Sequence, residues 1–516
     1  MNPGKSAGWD GVNPRVIKAV APELAGSLSR LMNCCMREGH YPECFKIARV
    51  VPVFKSEDPT QFSNYRPVSV LPVLSQIFER VMNARLTAFF EKNRVIIPGQ
   101  YGFRTGHSSS MAIMDMVEKV RATWEDKHVA LGVFIDLKKA FDTVDHDILL
   151  RKLEHYGIRG VALELLRSYL TSRFQYVSYG GFDSDKGIIK CGVPQGSVLG
   201  PLFFLIYVND MVRACKELEL VLFADDTNIF ARARNPQELF GKVNKGLQEL
   251  DVWFRCNKLT LNLKKTEYVY FGGRGGRVVP EGGLRIGGET IRRVEGVRFL
   301  GVWVDEGITW KGHIEKVRVK VGQLLGVLGR APAVLGRRSL QMLYNALVLP
   351  HLQYCLMVWG DFHGNHNRQV GDRLLKLQKS LAGLIMGKRG RCHSDPIFAE
   401  LGMLKIDDLY RQQMRIHAWK FWNGRLPESQ ANALNKVSDT HGYSTRSARH
   451  GISSKAQDHK SIGYRVPREW ESLSQKNREV KSLSGFKKNS KMDFIAKYKA
   501  FRCEANNCYI CGNGHS

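Results

Sequence analysis

Two apolar segments of this chain each end in aspartate, and that pattern constrains the fold more than any other feature. Val129–Ile135 contains almost only apolar residues, which is typical of a strand buried on both faces, and Asp136 follows it directly. Residues 220–224 and 227–230 are two short apolar runs separated only by Asp225 and Asp226. This spacing predicts a tight hairpin with two carboxylates at its tip.

A carboxylate at the end of a buried strand is costly unless it is paired, hydrogen-bonded or bound to a cation. Adjacent aspartates repel each other, so both stay ionised only beside a strong positive charge. Their oxygen atoms are hard ligands of the kind that Mg²⁺ prefers. The pattern is therefore compatible with a magnesium site, but taken alone an Asp-Asp pair is more often merely a turn, and both interpretations stay open.

The balance of charged residues indicates a polyanionic partner. The 516 residues include 77 Lys and Arg against 49 Asp and Glu, a formal net charge of +28. Such an excess is typical of proteins that bind phosphate backbones or anionic membrane surfaces. No apolar run is long enough to span a membrane, and the N-terminus lacks an apolar signal core. With 11 scattered cysteines, we expect an intracellular protein of the nucleus or cytoplasm that has no membrane partner.

The patterns of apolar residues divide the chain near residue 305. Helical and strand periods alternate before that point, which predicts a mixed α/β region, and helical periods dominate after it. Residues 311–391 contain 14 Lys and Arg against three Asp and Glu, which favours a helical domain that faces a polyanion over an ordinary solvated surface. From about residue 439, Ser, His, Gly and Arg accumulate without periodicity, which predicts a flexible linker.

Eight motifs in a fixed order carry a resemblance to a known family. They resemble the finger and palm motifs of reverse transcriptases from non-LTR (LINE-type, jockey-like) retrotransposons. The motifs are GKSAGWDGV (4–12), NYRPVSVLPVLSQIFERV (64–81), QYGFRTGHSSSMAI (100–113), FIDLKKAFDTV (134–144), GVPQGSVLGPLFFLIYVND (192–210), LFADD (222–226), LNLKKTEYVYF (261–271) and FLGVWVD (299–305).

The resemblance implies an α/β (α+β) right-hand polymerase fold. Fingers and palm with a mixed sheet would occupy residues 1–305, with the core motifs at about 36–305. A basic helical thumb would follow at 306–438, then a flexible basic linker at 439–490 and a Cys/His tail at 491–516. Relatives usually carry an endonuclease ahead of the polymerase, and this chain begins almost on the first finger motif. Two possibilities stay open, namely a fragment or truncated copy and a protein that primes without its own nicking activity.

The resemblance also assigns roles to individual residues. Asp136, Asp225 and Asp226 would form a catalytic triad that binds two Mg²⁺ ions, a cofactor arrangement suited to in-line displacement at phosphate. Phe141 matches the aromatic residue that crowds a ribose 2′-OH and so favours dNTPs, although a core phenylalanine would have the same spacing. Gln195 matches a residue that lines the nucleotide pocket, and its alternative is a plain loop residue.

Two cations complete the predicted substrate site. Lys265 matches a lysine that could neutralise the leaving pyrophosphate, and the adjacent Lys264 makes that match ambiguous. Arg66 is a candidate for binding the oxygens of the incoming triphosphate, and an ordinary surface arginine is the alternative.

The end of the chain holds a possible zinc ligand set. The spacing C-x4-C-x2-C-x3-H is suited to a tetrahedral Zn²⁺ site that would hold together a segment too short to bury a core. The alternative is an unstructured terminus with incidental cysteines. The four residues are Cys503, Cys508, Cys511 and His515.

Together these observations predict an RNA-directed DNA polymerase that adds dNTPs to a primer 3′-OH. Its partners would be an RNA template, a DNA primer or target, and dNTPs, while its oligomeric state is not predicted. Two alternatives stay open. One is a maturase-like or other polymerase that acts on different templates, and the other is a catalytically silent or domesticated nucleic-acid-binding relic.

Overall fold

The protein is described by a computed structural model that covers residues 3–55, 58–273, 280, 282–362, 368–388, 393–437, 451–454, 456 and 458–501. Its strands are β1 Ile47–Phe54, β2 Tyr65–Val70, β3 Val129–Ile135, β4 Leu137–Lys138, β5 Arg173–Tyr179, β6 Phe182–Asp183, β7 Gly187–Ile189, β8 Glu219–Phe223, β9 Asp226–Ala233, β10 Thr260–Leu261, β11 Glu267–Phe271, β12 Leu284–Ile286, β13 Glu289–Arg293, β14 Gly296–Phe299, β15 Val302–Asp305, β16 Asn435–Lys436 and β17 Ile452–Ser453.

Helices lie between these strands and dominate the C-terminal part. They are α1 Pro14–Ala19, α2 Ala21–Glu38, α3 Val73–Lys92, α4 Ser109–Glu125, α5 His146–His155, α6 Val161–Leu170, α7 Gly200–Val208, α8 Met211–Ala214, α9 Pro236–Cys256, α10 Lys311–Leu328, α11 Arg337–Leu343, α12 Leu349–Gln353, α13 Leu356–Trp359, α14 Arg368–Ile385, α15 Ser394–Leu401, α16 Ile406–Trp422, α17 Glu428–Ala431, α18 Ile462–Glu471, α19 Gln475–Arg478 and α20 Leu483–Lys499. The mixed α/β character predicted from the sequence is confirmed.

A six-stranded sheet with the order β12-β13-β11-β3-β9-β8 lies at the centre of the mixed region. Strand β3 is buried along its whole length, as its apolar sequence predicts. Leu131 and Val133 belong to one core cluster, with residues of α2, α3 and α5 to α9. Ala130 and Phe134 belong to a second cluster, which includes α4 and the C-terminal helices. Because successive side chains of a strand point to opposite faces, β3 connects the two cores.

A second sheet pairs the N-terminal strands with the chain that follows α6. Its order is β2-β1-β5-β6, and β7 pairs with β5. The sheet packs beside the loop that carries the Val-Pro-Gln-Gly motif, because the backbone N–H of Ser69 on β2 donates to the carbonyl oxygen of Gln195 at 2.7 Å. This contact brings two distant predicted substrate motifs together.

The prediction of a flexible linker at residues 439–490 is wrong for its described C-terminal part. Helices α18 and α19 and the first half of α20 fall within that range. Trp470 and Phe486 are fully buried, and the ring of Phe486 stacks on Trp419 of α16 with centroids 5.9 Å apart. The apolar residues of this segment are few in its sequence. Their role as core residues becomes evident only from their packing against α16.

None of the helices in the described ranges combines the length and apolar composition that crossing a membrane requires. From α10 onward most described residues are helical. The division into fingers and palm, thumb and tail stays a prediction.

Candidate active site

The register of the central sheet brings the predicted triad together. Ile135 at the end of β3 pairs with Thr227 of β9, so the next residue on β3, Asp136, lies opposite Asp226. Phe223 of β8 pairs with Asp226 across the hairpin, which places Asp225 in the turn beside them. Residues that are 89 positions apart in the sequence therefore converge at one edge of the sheet.

The hairpin turn differs by one residue from the sequence-based expectation. Ala224 and Asp225 occupy the turn, whereas Asp226 already belongs to β9. Ala224 adopts a left-handed conformation with φ of 58°, which an alanine rarely adopts without support. That support comes from Gln100, whose side-chain Oε1 accepts a hydrogen bond from the Ala224 N–H at 3.1 Å. Gln100 is almost fully buried.

Burial and the clustering of carboxylates disfavour the ionised forms of Asp225 and Asp226. Burial raises the pKa of Asp225, and the Asp136 carboxylate raises it further, whereas the Arg66 guanidinium lowers it. Burial, Asp225 and Asp136 together raise the pKa of Asp226 to about 6. The three carboxylates thus interact electrostatically, and a cation placed among them would stabilise their ionised forms.

Asn262 positions the first aspartate and was missed by the sequence analysis. Its side-chain Nδ2 donates to Oδ2 of Asp136 at 2.7 Å, and its backbone N–H donates to the Asp136 carbonyl oxygen at 2.8 Å. Asn262 belongs to the LNLKKTEYVYF motif, in which only the lysine was considered. The sequence signal that could have identified Asn262 is an amide side chain directly after a strand, in the same motif as the lysine.

The structure does not join Lys265 to this cluster. Its side chain is exposed, and its backbone N–H donates to Asn262 at 3.0 Å. Among the described residues, no hydrogen bond or ion pair connects the Lys265 ammonium group to the three aspartates. For its predicted role, the Lys265 ammonium group would have to extend from this exposed position towards the leaving pyrophosphate.

Phe141 and Gln195 lie on two segments that hydrogen-bond to each other. The backbone N–H of Val193 donates to the Phe141 carbonyl oxygen at 2.9 Å. Gln195 Nε2 donates to Asp142 Oδ1 at 2.8 Å. The Phe141 ring is half-buried and stacks on Phe204 of α7 with centroids 4.8 Å apart. The core interpretation and the substrate-facing interpretation are thus both compatible with this placement.

Arg66 lies on the exposed face of β2, opposite Val53 of β1. Its charge lowers the pKa of Asp225, which places the guanidinium in the field of the carboxylate cluster. A surface arginine remote from the site would have no such effect. Arg66 is therefore available to contact a negatively charged group that approaches the aspartates.

A buried carboxylate supports the loop that carries Gln195. Glu79 of α3 is fully buried, and its Oε2 accepts hydrogen bonds from the backbone N–H groups of Val198 at 2.5 Å and Leu199 at 3.3 Å. Burial raises the pKa of Glu79, and the charge of buried Arg173 opposes that rise. Glu79 thereby holds the backbone directly before α7, where these N–H groups would otherwise lack partners.

The donor set at the sheet edge fits Mg²⁺. In the described part of the chain, no group of three or more His, Cys, Asp or Glu side chains is arranged closely enough to hold a metal ion on its own. Mg²⁺ usually takes only one or two carboxylates from a protein and completes its shell with substrate phosphates and waters. Repelling carboxylates with hard oxygen donors meet that requirement. The zinc ligands predicted at Cys503, Cys508, Cys511 and His515 lie outside the described residues and stay a prediction.

Comparison with known proteins identifies the domain that contains this site. Residues 55–304 match the family described as reverse transcriptase (RNA-dependent DNA polymerase). These residues form a reverse transcriptase domain. All three aspartates, Phe141, Gln195, Lys265 and Arg66 fall within it. A mixed sheet with carboxylates at adjacent strand ends is consistent with the right-hand polymerase fold that the sequence resemblance implies.

Similar proteins confirm the resemblance to jockey-like retrotransposons. The RNA-directed DNA polymerase from mobile element jockey of Drosophila melanogaster is 27% identical over 429 residues, which cover 80% of this chain and 46% of that protein. The probable RNA-directed DNA polymerase from transposon X-element of the same organism is 25% identical over 423 residues, covering 80% of this chain and 46% of that protein. The chain thus spans about half the length of the curated relatives it matches.

A solved telomerase structure from Candida albicans, in complex with the TWJ fragment of telomeric RNA, is a more distant match. It has a TM-score of 0.38 at 12% identity, covering 70% of this chain and 62% of that chain. A similarity this low carries no argument about the fold.

Proposed function

We propose that this chain catalyses RNA-templated DNA synthesis as the polymerase part of a non-LTR retrotransposon protein. It would add dNTPs to the 3′-OH of a DNA primer or target. The observation that supports this most strongly is the convergence of Asp136, Asp225 and Asp226 at one edge of the sheet inside a reverse transcriptase domain. Burial and neighbouring carboxylates raise the pKa of Asp225 and Asp226, and shifts of this kind are typical of functional sites.

The proposed mechanism assigns metal binding to the triad. Asp136, Asp225 and Asp226 would hold two Mg²⁺ ions, which supply positive charge for the attacking primer oxygen and the leaving pyrophosphate. Asn262 would act as a positioning residue, because its amide fixes one oxygen of Asp136 and leaves the other directed elsewhere. Gln100 would hold the Ala224 turn so that Asp225 keeps its position.

The remaining roles concern the incoming nucleotide. Arg66 would bind the triphosphate oxygens, since its charge already acts on Asp225. Gln195 and Phe141 would line the sugar and base pocket from adjacent positions on the loop and the first palm motif. Lys265 would approach the leaving pyrophosphate from its exposed position. Residues 1–305 would form fingers and palm, and the basic helices of residues 306–438 would form a thumb that holds the duplex.

Primer extension tests the proposed activity. The wild-type protein should extend a DNA primer annealed to an RNA template when dNTPs and Mg²⁺ are supplied. Asp225→Ala should reduce extension by at least about 1,000-fold, because a metal-binding carboxylate stabilises the transition state directly. Asp185→Asn is the matched control, since Asp185 is exposed in the loop between β6 and β7. Equal extension by wild type and Asp225→Ala would refute the assignment.

The role of Phe141 is tested by nucleotide choice. Phe141→Ala should raise the efficiency of NTP incorporation relative to dNTP by about 10- to 100-fold, because removing the ring leaves space for a 2′-OH. The ratio of the two kcat/KM values is the measurement. Phe204→Leu, which removes the stacking partner but leaves the Phe141 ring in place, should leave this ratio much closer to wild type. A ratio that Phe141→Ala leaves unchanged would assign the ring to the core alone.

A further inference from the structure

A cavity of about 860 Å³ lies apart from the aspartate cluster. Its walls come from the start of α4, the interrupted helix formed by α11 and α12, helices α15 and α16, and the middle of α20. None of the predicted catalytic or substrate residues lines it. Its volume falls in the range of pockets that hold small organic ligands, about 300–1,000 Å³.

One side of the cavity is strongly positive. Four lysines line it, and no Asp or Glu is among the described residues of its wall. The nearby carboxylate of Asp493 is engaged elsewhere, since it accepts a hydrogen bond from Asn477 at 2.6 Å and lies 3.9 Å from Arg415. Burial and the neighbouring Lys487 lower the pKa of Lys420, which indicates that the ammonium groups crowd one another. The four lysines are Lys420, Lys487, Lys488 and Lys491.

The rest of the wall is apolar, with a few amides. Four methionines contribute to it, namely Met111, Met114, Met357 and Met403. Thioethers are polarisable and make favourable contacts with aromatic rings. Asn345 and Gln353 add polar groups, and Asn345 belongs to a π-helical turn, Tyr344–Val348, that interrupts the helix at the cavity wall. Such π-helical turns are frequent at functional sites.

Contacts within the wall fix its shape. Gln412 Nε2 donates to the Lys487 carbonyl oxygen at 3.2 Å, which links α16 to α20. Gln413 Nε2 donates to the Gln353 carbonyl oxygen at 3.0 Å, which links α16 to α12. His417 is buried on the same side of α16, and burial together with Lys420 lowers its pKa to about 4, so its ring is neutral at pH 7. The cavity is thus a braced space whose lysines all come from α16 and α20.

We propose that this cavity binds a single nucleoside phosphate, with the base among the methionines and amides and the phosphate against the four lysines. Charge complementarity requires an anion, and the apolar depth requires an aromatic or similarly flat group attached to it. Two sources share this chemistry, the end of a single strand and a free nucleotide. The site goes beyond the proposed polymerisation reaction and does not require the three aspartates.

Fluorescence anisotropy with a 5′-phosphorylated, 3′-fluorescein-labelled hexathymidylate tests the charged side. Lys487→Gln with Lys491→Gln should weaken binding by the 516-residue chain about 10-fold and reduce the salt dependence, because two phosphate-facing charges are lost. Lys481→Gln with Lys499→Gln removes the same charge from exposed positions outside the cavity and should change affinity less than about twofold. Equal weakening by the two double variants would overturn the proposal.

A filled cavity tests the base-binding side. Asn345 is exposed, so Asn345→Trp should fold normally while its indole occupies the space of the base. This variant should bind the hexathymidylate at least fivefold more weakly than wild type does. Its affinity for a hexamer of abasic phosphates should be unchanged. Unchanged hexathymidylate binding would refute a base site. Competition by dTMP at a similar concentration would identify a free nucleotide as the source, whereas competition by unlabelled hexamer alone would identify a strand end.

The same experiment separates this proposal from polymerase activity. Asp225→Ala should bind the labelled hexamer as tightly as wild type, because Asp225 does not line the cavity. Loss of primer extension with retained, cavity-dependent binding would contradict neither proposal. Cavity-dependent binding by a wild-type protein that fails to extend primers would refute only the proposed polymerase function.

Discussion

Asp226 shows how a single residue can be unfavourable for folding and suited to function. Its pKa is raised to about 6 by burial, Asp225 and Asp136, whereas an unperturbed aspartate has a pKa of about 3.9. Because the folded-state pKa is the higher one, the folded metal-free protein favours protonated Asp226. That contribution to stability is fully present below about pH 4 and is lost as the pH rises through about 6.

Asp226→Asn should therefore raise the melting temperature of the protein in EDTA at pH 7.5, because the amide removes a repelling charge. The difference in melting temperature between variant and wild type should grow as the pH rises from about 4 to about 7. Differential scanning fluorimetry across that range is the measurement. Mg²⁺ should stabilise the wild type more than the variant. A variant that melts below wild type in EDTA at pH 7.5 would show that the carboxylate is already compensated.

The sequence pointed to the three aspartates that the fold brings together, but not to the residues that hold them in place. Asp136, Asp225 and Asp226 could be identified because each follows or interrupts an apolar run. Such a run is visible within a few neighbouring residues of the sequence. Asn262 and Gln100 could not be found this way, since each acts through a hydrogen bond to a residue more than 100 positions away. The support that they give to the site depends on which strands pair with each other, and a single sequence does not reveal that pairing.

At the scale of elements, the hairpin between β8 and β9 depends on a distant segment. Its turn lies one residue earlier than the apolar runs suggest, because Ala224 is held in a left-handed conformation by Gln100. The backbone of residues 99–102 runs along the edge of β8, and the Tyr101 N–H donates to the Leu222 carbonyl oxygen at 2.8 Å. A β-carbon added at Gly102 would lie 2.3 Å from the Ala224 nitrogen, so only glycine allows this approach.

Gly102→Ala should displace the turn that carries Asp225. We expect a loss of about 1–3 kcal/mol in the free energy of unfolding, since backbone atoms must shift to accept the methyl group. Primer-extension kcat should fall about 10-fold or more, because small displacements of metal-binding groups are costly. Urea unfolding and single-turnover extension measure the two effects. Gly26→Ala on α2, where a β-carbon meets no neighbour within 4 Å, is the control and should not lower either quantity.

At the scale of the whole molecule, charge was easier to predict than order. The excess of Lys and Arg is visible in composition, and many of these residues are exposed on the C-terminal helices. The packing of residues 462–499 was not predicted, because Trp470 and Phe486 are isolated apolar residues in a polar sequence. They become core residues only when α16 supplies Trp419. Composition therefore predicts a polyanionic partner for this region but does not reveal how its helices pack.

The basic helices should bind an RNA–DNA duplex mainly through its phosphates, so affinity should fall linearly with the logarithm of salt concentration. Lys376 and Lys379 are exposed one turn apart on α14. Lys376→Gln with Lys379→Gln should reduce the slope of that plot by up to about two, since each lost phosphate contact lowers it by about one. Filter binding of a blunt duplex between 50 and 300 mM KCl, roughly the range over which phosphate contacts dominate, measures the slope.

The control places the same charge loss elsewhere. Arg15→Gln with Lys18→Gln removes two exposed positive charges from α1, far along the chain from the basic helices, and should leave the slope near its wild-type value. If both double variants lower the slope equally, then net charge rather than a helical duplex-binding surface governs the interaction. If neither double variant lowers the slope, the duplex binds a different face of the molecule. Each phosphate contact releases counterions, so the loss of a real contact must lower the slope.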